Sequence, residues 1–267
     1  QTNMTFVTSR LHAQMINITT QYLSVDSSSS IETTARGYAS ALGPGSGTSG
    51  TAGGGAGYGG IGGRSTNSDS GGGRYGNTLE PMQLGSGGGN SNSKGGYGGG
   101  LIILNISADL IVNGNIFANG GNGINISGAF NRAGGGGAGG SIYVVTNNLS
   151  GSGFFQTKGG TNGDGDGDGG IGGGGRIAVY YNSTSMSLAP SNATRGDIVG
   201  STTTEREADG TMTFIDMDNY ILTIQNVIEF NASDISSAWP NIKSADGSAF
   251  NFTNITTLNK SAVIRIS

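Results

Sequence analysis

The chain has 267 residues, of which 54 are glycine, 4 are proline and none is cysteine, and its formal net charge is −4. Glycine does not recur at every third position, which excludes a collagen triple helix, and the charge balance offers no basic surface for nucleic acid. No apolar run approaches the roughly 18 residues that a membrane-spanning helix needs, so we expect no membrane span.

The first part of the chain, residues 1–30, has the pattern of β-strands. β-Branched and aromatic residues alternate there with polar ones, which is typical of half-buried strands. The strands predicted in this part and just after it are 5–7, 15–19, 21–25 and 31–35. The only histidine, His12, lies among polar residues, where a lone histidine indicates a surface position more often than a ligand or a base.

Residues 37–100 consist mostly of glycine, serine and asparagine. A flexible linker is one interpretation of such a composition. Regularly placed tyrosine, isoleucine and leucine side chains favour another, because glycine allows two backbones to approach closely. We therefore predict an ordered layer of extended polyglycine segments that hydrogen-bond laterally, joined by the glycine runs at 134–140 and 169–175.

The stretch 98–181 contains an internal repeat. Glycine runs lead into short apolar strands three times, and the junctions at Gly100, Gly140 and Gly175 are spaced by 40 and 35 residues. A second matched element occupies 110–121 and returns at 149–160. Two strands per period in a repeat of this length predict a stacked β architecture.

The rest of the chain also favours strands. Residues 182–210 are polar and irregular, and we predict a surface excursion there. The strands predicted after it are 211–215, 220–224, 227–230, 250–253 and 262–266. No segment shows an apolar period of 3.6 residues, so essentially no helix is expected.

The predicted fold is therefore all-β: a glycine-rich parallel β-solenoid, or β-helix-like stack, with polyglycine-packed segments. Its predicted parts are N-terminal strands over 1–30, a glycine-rich solenoid domain over 31–226 and C-terminal strands over 227–267. A stack of this kind has open strand edges at its ends unless it is capped, and open edges can pair with another chain. The two terminal parts show no obvious polar caps, so pairing between subunits is expected there.

Asparagine in the sequence Asn-x-Ser/Thr is the acceptor of N-linked glycans. The chain has eleven such sites: Asn3, Asn17, Asn105, Asn125, Asn148, Asn182, Asn192, Asn231, Asn251, Asn254 and Asn259. Average composition gives roughly one site per 150–200 residues, although this chain's many Asn, Ser and Thr residues raise that expectation. Coincidence of composition is the alternative; a secreted, heavily glycosylated protein is the reading we favour.

An acidic turn is the one candidate metal site. Asp164, Asp166 and Asp168 alternate with glycine, the spacing that opens an EF-hand calcium loop. The twelfth position of that loop, where a bidentate glutamate is needed, is Gly175, and no helices flank the turn. A solvated acidic turn is therefore the alternative to calcium, and no other cofactor is predicted.

No catalytic constellation is present in the sequence, so we expect no enzyme activity. One histidine cannot build a convincing Ser-His-Asp site, and the Gly-x-Gly-x-x-Gly matches follow from composition. Tyr58, Tyr75 and Tyr97 lie among glycines, where they could stack on sugar rings. Filling the gaps in a glycine layer is the more common role of such tyrosines.

The order of several motifs resembles a known group of proteins. These motifs are 57–63 (Gly-Tyr-Gly-Gly-Ile-Gly-Gly), 75–89, 112–121, 136–142 and 172–181. Residues 208–214 resemble the strand that closes modules of this group. The series is similar to the glycine-rich β-solenoid modules of large extracellular and surface proteins of ciliates, algae and other protists. The resemblance spans roughly 31–226 and implies a structural role, including hair-like or glycan-coated filaments.

The function expected from the whole sequence is that of a structural subunit of an extracellular, secreted or cell-surface filament. Its expected partners are further copies of itself, joined head to tail through terminal strands into a homopolymer, and covalent N-linked glycans. The alternative is a cell-surface adhesin, a module that binds carbohydrate or a receptor.

Overall fold

The computed structural model describes residues 2–128, 131–200, 208–225, 227–230, 254–257 and 263–266. This described part contains strands, turns and extended segments, and no helix. Its strands are β1 (Asn3–Phe6), β2 (Arg10–His12), β3 (Met15–Val25), β4 (Ser30–Glu32), β5 (Leu101–Val112), β6 (Asn115–Phe117), β7 (Ser141–Ser150), β8 (Phe154–Gln156), β9 (Arg176–Tyr181), β10 (Ser183–Thr184), β11 (Thr211–Asp216), β12 (Ile221–Gln225), β13 (Val227–Phe230), β14 (Asn254–Thr257) and β15 (Val263–Ile266).

The strands form three sheets. The first sheet has the order β1-β3-β5-β7-β9-β11-β12-β14, with β10 paired to β7. The second sheet has the order β2-β4-β6-β8, and within the described ranges β13 pairs only with β15. The β11–β12 pair is antiparallel and the other pairs are parallel. The prediction of an all-β protein with parallel strands is confirmed.

Successive passes of the chain repeat the same order of elements. Each pass contributes a long strand to the first sheet and then a short strand to the second, as in β3–β4, β5–β6 and β7–β8. A glycine-rich segment follows before the chain returns to the first sheet. Because neighbouring strands are parallel, equivalent residues of consecutive passes lie beside one another.

The hydrophobic core lies between the two sheets, where alternate residues of each strand point inward. One row of the first sheet places Ile16, Ile102, Ile142, Ile177 and Met212 in register. The facing row on the second sheet consists of Leu11, Ile31, Ile116 and Phe155 in register. Both rows belong to one cluster, buried except for the partly buried Leu11.

The predicted repeat is confirmed by the strand register. Leu101 pairs with Ser141, and Ser141 pairs with Arg176, so the three glycine-to-strand junctions are equivalent. Leu110 pairs with Leu149, as the second matched element predicts. An earlier member was missed, because Met15 pairs with Leu101 across a separation of 86 residues (15 to 101) that contains the longest glycine-rich segment.

Of the surface excursion predicted over 182–210, residues 183–185 and 197–200 are exposed and 201–207 lie outside the described residues, but the predicted irregular structure is wrong where the chain pairs. β10 pairs with the end of β7, and Asn192 forms an isolated bridge with Gln156 of β8. These residues therefore continue the pass that begins with β9. Their strand propensity is low, so the contacts with the preceding pass place them rather than local preference.

The glycine-rich segments 37–100, 118–128, 131–140, 157–175 and 193–197 lie against each other, and we call them the glycine layer. Within it the N–H groups of 135 and 138 donate to the carbonyls of 89 and 86, those of 136 and 139 to 170 and 173, and those of 137 and 140 to 121 and 118. The direction of bonding therefore repeats every third residue. Three residues per turn is the period of the polyproline II helix, which forms no internal hydrogen bonds and leaves its backbone groups for neighbours.

The first sheet extends across the boundaries predicted at residues 30 and 226. It contains β1 and β3 on one side, and β12 and β14 on the other. The strand predicted at 250–253 lies outside the described residues, and β14 begins at the next position.

Candidate assembly and glycan surfaces

The outer face of the first sheet changes character along its rows. One row runs through Thr19, Asn105, Val145, Tyr180 and Ile215 in register. Thr19 and Asn105 are exposed, Val145 is half-buried, and the last two are buried. The same face of one sheet is therefore open to solvent over β3 and β5 and covered over β9 and β11.

The covered half is closed by another part of the chain. Leu79 packs with Tyr180 and Ile215 and with residues of β12 in a second apolar cluster. The Tyr180 hydroxyl donates to the Leu79 carbonyl at 3.0 Å, and the Tyr143 ring meets the Tyr180 ring edge-on at 5.8 Å. Burial raises the pKa of Tyr180 and raises that of Tyr143 to about 12, since the charged phenolate loses solvation there.

The open half carries two of the predicted glycan sites. Asn17 on β3 and Asn105 on β5 are both exposed. Asn105 pairs with Thr19, two residues after Asn17, so both asparagines point outward from adjacent strands. Met15 lies beside them with 58% of its surface exposed. An apolar side chain and two acceptor asparagines thus share this open face.

Two other sites on the first sheet are also outward-facing. Asn3 is exposed on β1. Asn148 is exposed on β7, and its carboxamide is engaged at both ends: Nδ2 donates to Asp109 Oδ1 at 2.7 Å, and Oδ1 accepts from Ser183 Oγ at 2.7 Å. The next site, Asn182, is half-buried and donates from Nδ2 to Asn147 Oδ1 at 2.8 Å.

The remaining predicted sites lie elsewhere. Asn125 is exposed at the rim of the glycine layer. Asn192 is half-buried, and its Oδ1 is a buried atom with no hydrogen-bond partner. Asn254 is the first residue of β14. Asn231, Asn251 and Asn259 lie outside the described residues.

Both ends of the first sheet present an open edge among the described residues. β1 has β3 as its strand neighbour, and β14 has β12. The carbonyls of Thr2 and Phe6 accept hydrogen bonds from the backbone N–H groups of Tyr22 and Asp26. The alternation of a parallel ladder therefore turns the N–H and C=O groups of Asn3 and Thr5 toward the open edge. β2 is likewise the outermost strand of the second sheet.

The three aspartates of the acidic turn are not gathered into one metal-binding group. Asp164 and Asp166 are exposed, whereas Asp168 is buried, and Asp168 Oδ1 accepts the Gly165 N–H at 3.3 Å. Among the described residues no group of three or more His, Cys, Asp or Glu side chains is placed to hold a metal ion. Calcium binding by this turn remains a prediction from the spacing alone.

The three tyrosines of the glycine-rich region have different surroundings. Tyr58 is completely buried, and its hydroxyl lies 2.7 Å from Ser141 Oγ. Tyr75 packs against it with ring centroids 4.7 Å apart and donates to the Leu84 carbonyl. Stacking of Tyr58 on a sugar is therefore wrong, and it fills space inside the protein. Tyr97 is 45% exposed and lines an open groove with Arg36.

A buried arginine was missed by the sequence reasoning. Arg176 begins β9, where the repeat alone marks it as a junction residue, yet it is 5% exposed. Its guanidinium donates to the Tyr75 carbonyl at 2.9 and 3.1 Å and to Thr78 Oγ1 at 2.7 Å, and it lies 5.4 Å from the centre of the Tyr58 ring. Its pairing joins the glycine layer to the first sheet.

A row of asparagine clamps was also missed. Lys158, Thr161 and Asp164 donate their backbone N–H groups to the side-chain oxygens of Asn119, Asn122 and Asn125 at 2.8, 3.0 and 3.0 Å. The same three residues accept at their carbonyls from the N–H groups of Gly120, Gly123 and Ile126. The three-residue spacing in both segments, visible in the sequence, was the signal for this arrangement.

Comparison with known proteins gives no relative: no family model, no curated protein and no solved structure matches the chain. In the described part, no helix has the length and apolar character needed to cross a membrane.

Proposed function

We propose that the chain is a structural subunit of an N-glycosylated extracellular filament. In this proposal the repeated passes form a β-solenoid, and subunits join head to tail through their outermost strands. The observation that carries the proposal is the pair of edges that the described residues leave open, β1 at one end of the first sheet and β14 at the other. Contacts between two different ends of a subunit extend without closing, so they build a fibre.

The partly buried apolar residues at the β1–β2 end support the same proposal. Phe6 and Leu11 pack on the core from the outermost strands and are incompletely covered. Met4 and Val7 are exposed nearby, with 41% and 63% of their surfaces accessible. Exposed apolar surface at the end of a stacked structure favours association, because a further copy would bury it.

The pairing of β13 with β15 offers a further place for association. Among the described residues these strands form a two-stranded parallel sheet. Parallel sheets are normally larger and covered on both faces, and isolated two-stranded pairs are marginally stable in water. A strand from a second subunit beside this pair would extend it in the way the solenoid extends.

Thr5 provides a direct test of the β1 edge. Replacing Thr5 with proline removes an N–H that faces the open edge and leaves the bonds to β3 in place. Thr5→Val is the matched control, since it keeps the N–H and, like the proline variant, removes the glycan site at Asn3. Electron microscopy of the secreted protein should show fibres for Thr5→Val and dispersed particles for Thr5→Pro. Fibres of equal length from both variants would exclude β1 as an assembly edge.

The adhesin alternative is favoured by one observation, the groove beside Tyr97. This exposed ring lies with Arg36, Gln14 and His12 in an open cleft, an arrangement suited to a polar, ring-shaped ligand such as a sugar. A glycan-array screen decides between the adhesin and the filament. The adhesin is supported if the protein binds one glycan tightly, if Tyr97→Ala abolishes that binding, and if substitution of the similarly exposed Tyr220 does not. Fibres together with an array without hits support the filament.

A further inference from the structure

The outer face of the first sheet is closed over half of its width and open over the other half. Leu79 packs on the outer side chains of β9, β11 and β12, whereas Met15, Asn17, Thr19 and Asn105 remain exposed over β3 and β5. Ile103 on β5 and Tyr143 on β7, nearer the covered half, are half-buried. A parallel sheet is normally covered on both faces, so the open half lacks the cover that this fold class has elsewhere.

We propose that N-linked glycans on Asn17 and Asn105 together cover the open half of this sheet face. This inference rests on the proposed function, because it requires a secreted, glycosylated chain. The strand spacing and the two-residue offset place the two Cα atoms about 8 Å apart, close enough for both glycans to lie over the same few side chains. Sugar rings have apolar faces as well as hydroxyl groups, so they shield Met15 and Ile103 while keeping the surface hydrated.

The surroundings of the acceptor atoms distinguish the exposed sites from the half-buried Asn192. The exposed Asn17 and Asn105 project from regular strands, and attachment at Nδ2 disturbs no core contact. At Asn125 the engaged atom is Oδ1, which a glycan on Nδ2 leaves in place. Asn192 differs, because it is half-buried with its Oδ1 inside the protein. A glycan is too large and polar to be buried, so occupancy at Asn192 opposes folding.

Site occupancy is measured on the protein secreted from a eukaryotic cell. Enzymatic removal of the glycans in isotopically heavy water labels each formerly occupied asparagine, and peptide mass spectrometry then gives the fraction occupied. We expect high occupancy at Asn17 and Asn105 and none at Asn192. High occupancy at Asn192, or empty sites at Asn17 and Asn105 with others filled, overturns the inference and leaves the glycoprotein proposal standing. Absence of glycan at every site overturns both.

The covering role is tested with two variants that remove the same glycans. One carries Asn17→Gln and Asn105→Gln; the other carries Thr19→Val and Ser107→Ala, which retain both asparagines. We expect both to bind a hydrophobic fluorescent dye several-fold more strongly than the parent protein. Thr194→Val, which removes the site at Asn192, is the control and should bind dye as the parent does. Unchanged dye binding in both double variants, with folding verified by circular dichroism, overturns the covering role.

Discussion

Side chains fill the space between the two sheets, whereas in the glycine layer one backbone lies directly on another. Phe155 is completely buried between the sheets and meets other side chains there. At Gly72, by contrast, an added Cβ would overlap the carbonyl oxygen of Gly45. The core is therefore sensitive to the loss of atoms and the layer to their gain. Residue size constrains the two regions in opposite directions.

The hydrogen bonds of the two regions differ as well. In the sheets each interior strand bonds to neighbours on two opposite sides, so the backbone network is flat. In the glycine layer the bonding direction rotates with every residue and returns after three, so a segment such as 135–140 reaches three neighbours. Because glycine has no side chain, the glycine layer forms a denser backbone network than the sheets. For the same reason it lacks most of the hydrophobic contacts that stabilise the sheets.

The largest effect is expected from deletion of a core side chain. Phe155→Ala should lower the free energy of unfolding by about 3–5 kcal/mol, because it removes a buried ring and leaves a cavity between the sheets. Phe154→Ala is the matched control, since the adjacent side chain points to the opposite face and is half-buried. Chemical denaturation of both variants measures the difference, and equal losses would contradict the placement of the core.

Adding a methyl group to the glycine layer should have the next largest effect. Gly72→Ala should cost about 1–3 kcal/mol or more, because the obstructing atoms are backbone and cannot rotate away. The neighbouring Gly73 is exposed, and a Cβ there would meet nothing within 4 Å.

Gly73→Ala should therefore stabilise the protein by about 0.4–1 kcal/mol, since alanine reduces the conformational freedom of the unfolded chain. The same denaturation experiment measures both variants. Opposite signs at two adjacent glycines are the expected result, and destabilisation of similar size at both would show that the layer is not packed as described.

Much of the two-sheet region could be predicted from the sequence, because alternating apolar and polar residues and the glycine-to-strand junctions mark its strands. The pairing of Leu110 with Leu149 follows directly from the matched elements. Met15 was not matched to Leu101 because the long insertion hides the period. The burial of Arg176 could not be read from the repeat either, since its partners Tyr75 and Thr78 come from distant parts of the chain.

The glycan sites illustrate a similar limit. The sequence identifies every acceptor asparagine, but it cannot tell an outward position on a strand, such as Asn105, from a half-buried one, such as Asn192. Whether an asparagine is exposed or buried depends on the strand register and on which residues, distant in sequence, pack over it. Leu79 lies about a hundred residues from Tyr180, and nothing local to either residue predicts their contact.

Stability at alkaline pH tests the burial of Tyr143 on the covered sheet face. The pKa of Tyr143 is raised by burial from 10.0 to about 12. A raised pKa means that the folded state favours the neutral phenol: this stability is complete below pH about 10 and is lost as the pH rises toward about 12. Tyr143→Phe should therefore weaken the loss of stability between pH 10 and 12, measured by thermal unfolding across that range. An identical pH profile would show that Tyr143 is solvated.

Opening one of the asparagine clamps should affect stability least, and its effect is measured as the rate of asparagine deamidation. Asn-Gly sequences deamidate when the glycine nitrogen attacks the asparagine side-chain carbon, forming a cyclic imide and releasing ammonia. In the Asn122 clamp both groups are held: Oδ1 accepts the Thr161 N–H at 3.0 Å, and the Gly123 N–H donates to the Thr161 carbonyl at 2.9 Å. We expect deamidation to be much slower in the folded protein than in the denatured chain.

Thr161→Pro opens this clamp alone. Proline fits an extended segment of polyproline II geometry, and it removes the N–H that holds the Asn122 side chain while retaining the carbonyl. Peptide mass spectrometry after incubation at neutral pH should show faster deamidation at Asn122 and an unchanged rate at Asn119, which Lys158 holds. Thr161→Ser, which retains the N–H, should match the parent protein. Equal rates at Asn122 in the proline and serine variants would mean that the packing of the layer, and not the clamp, protects the side chain.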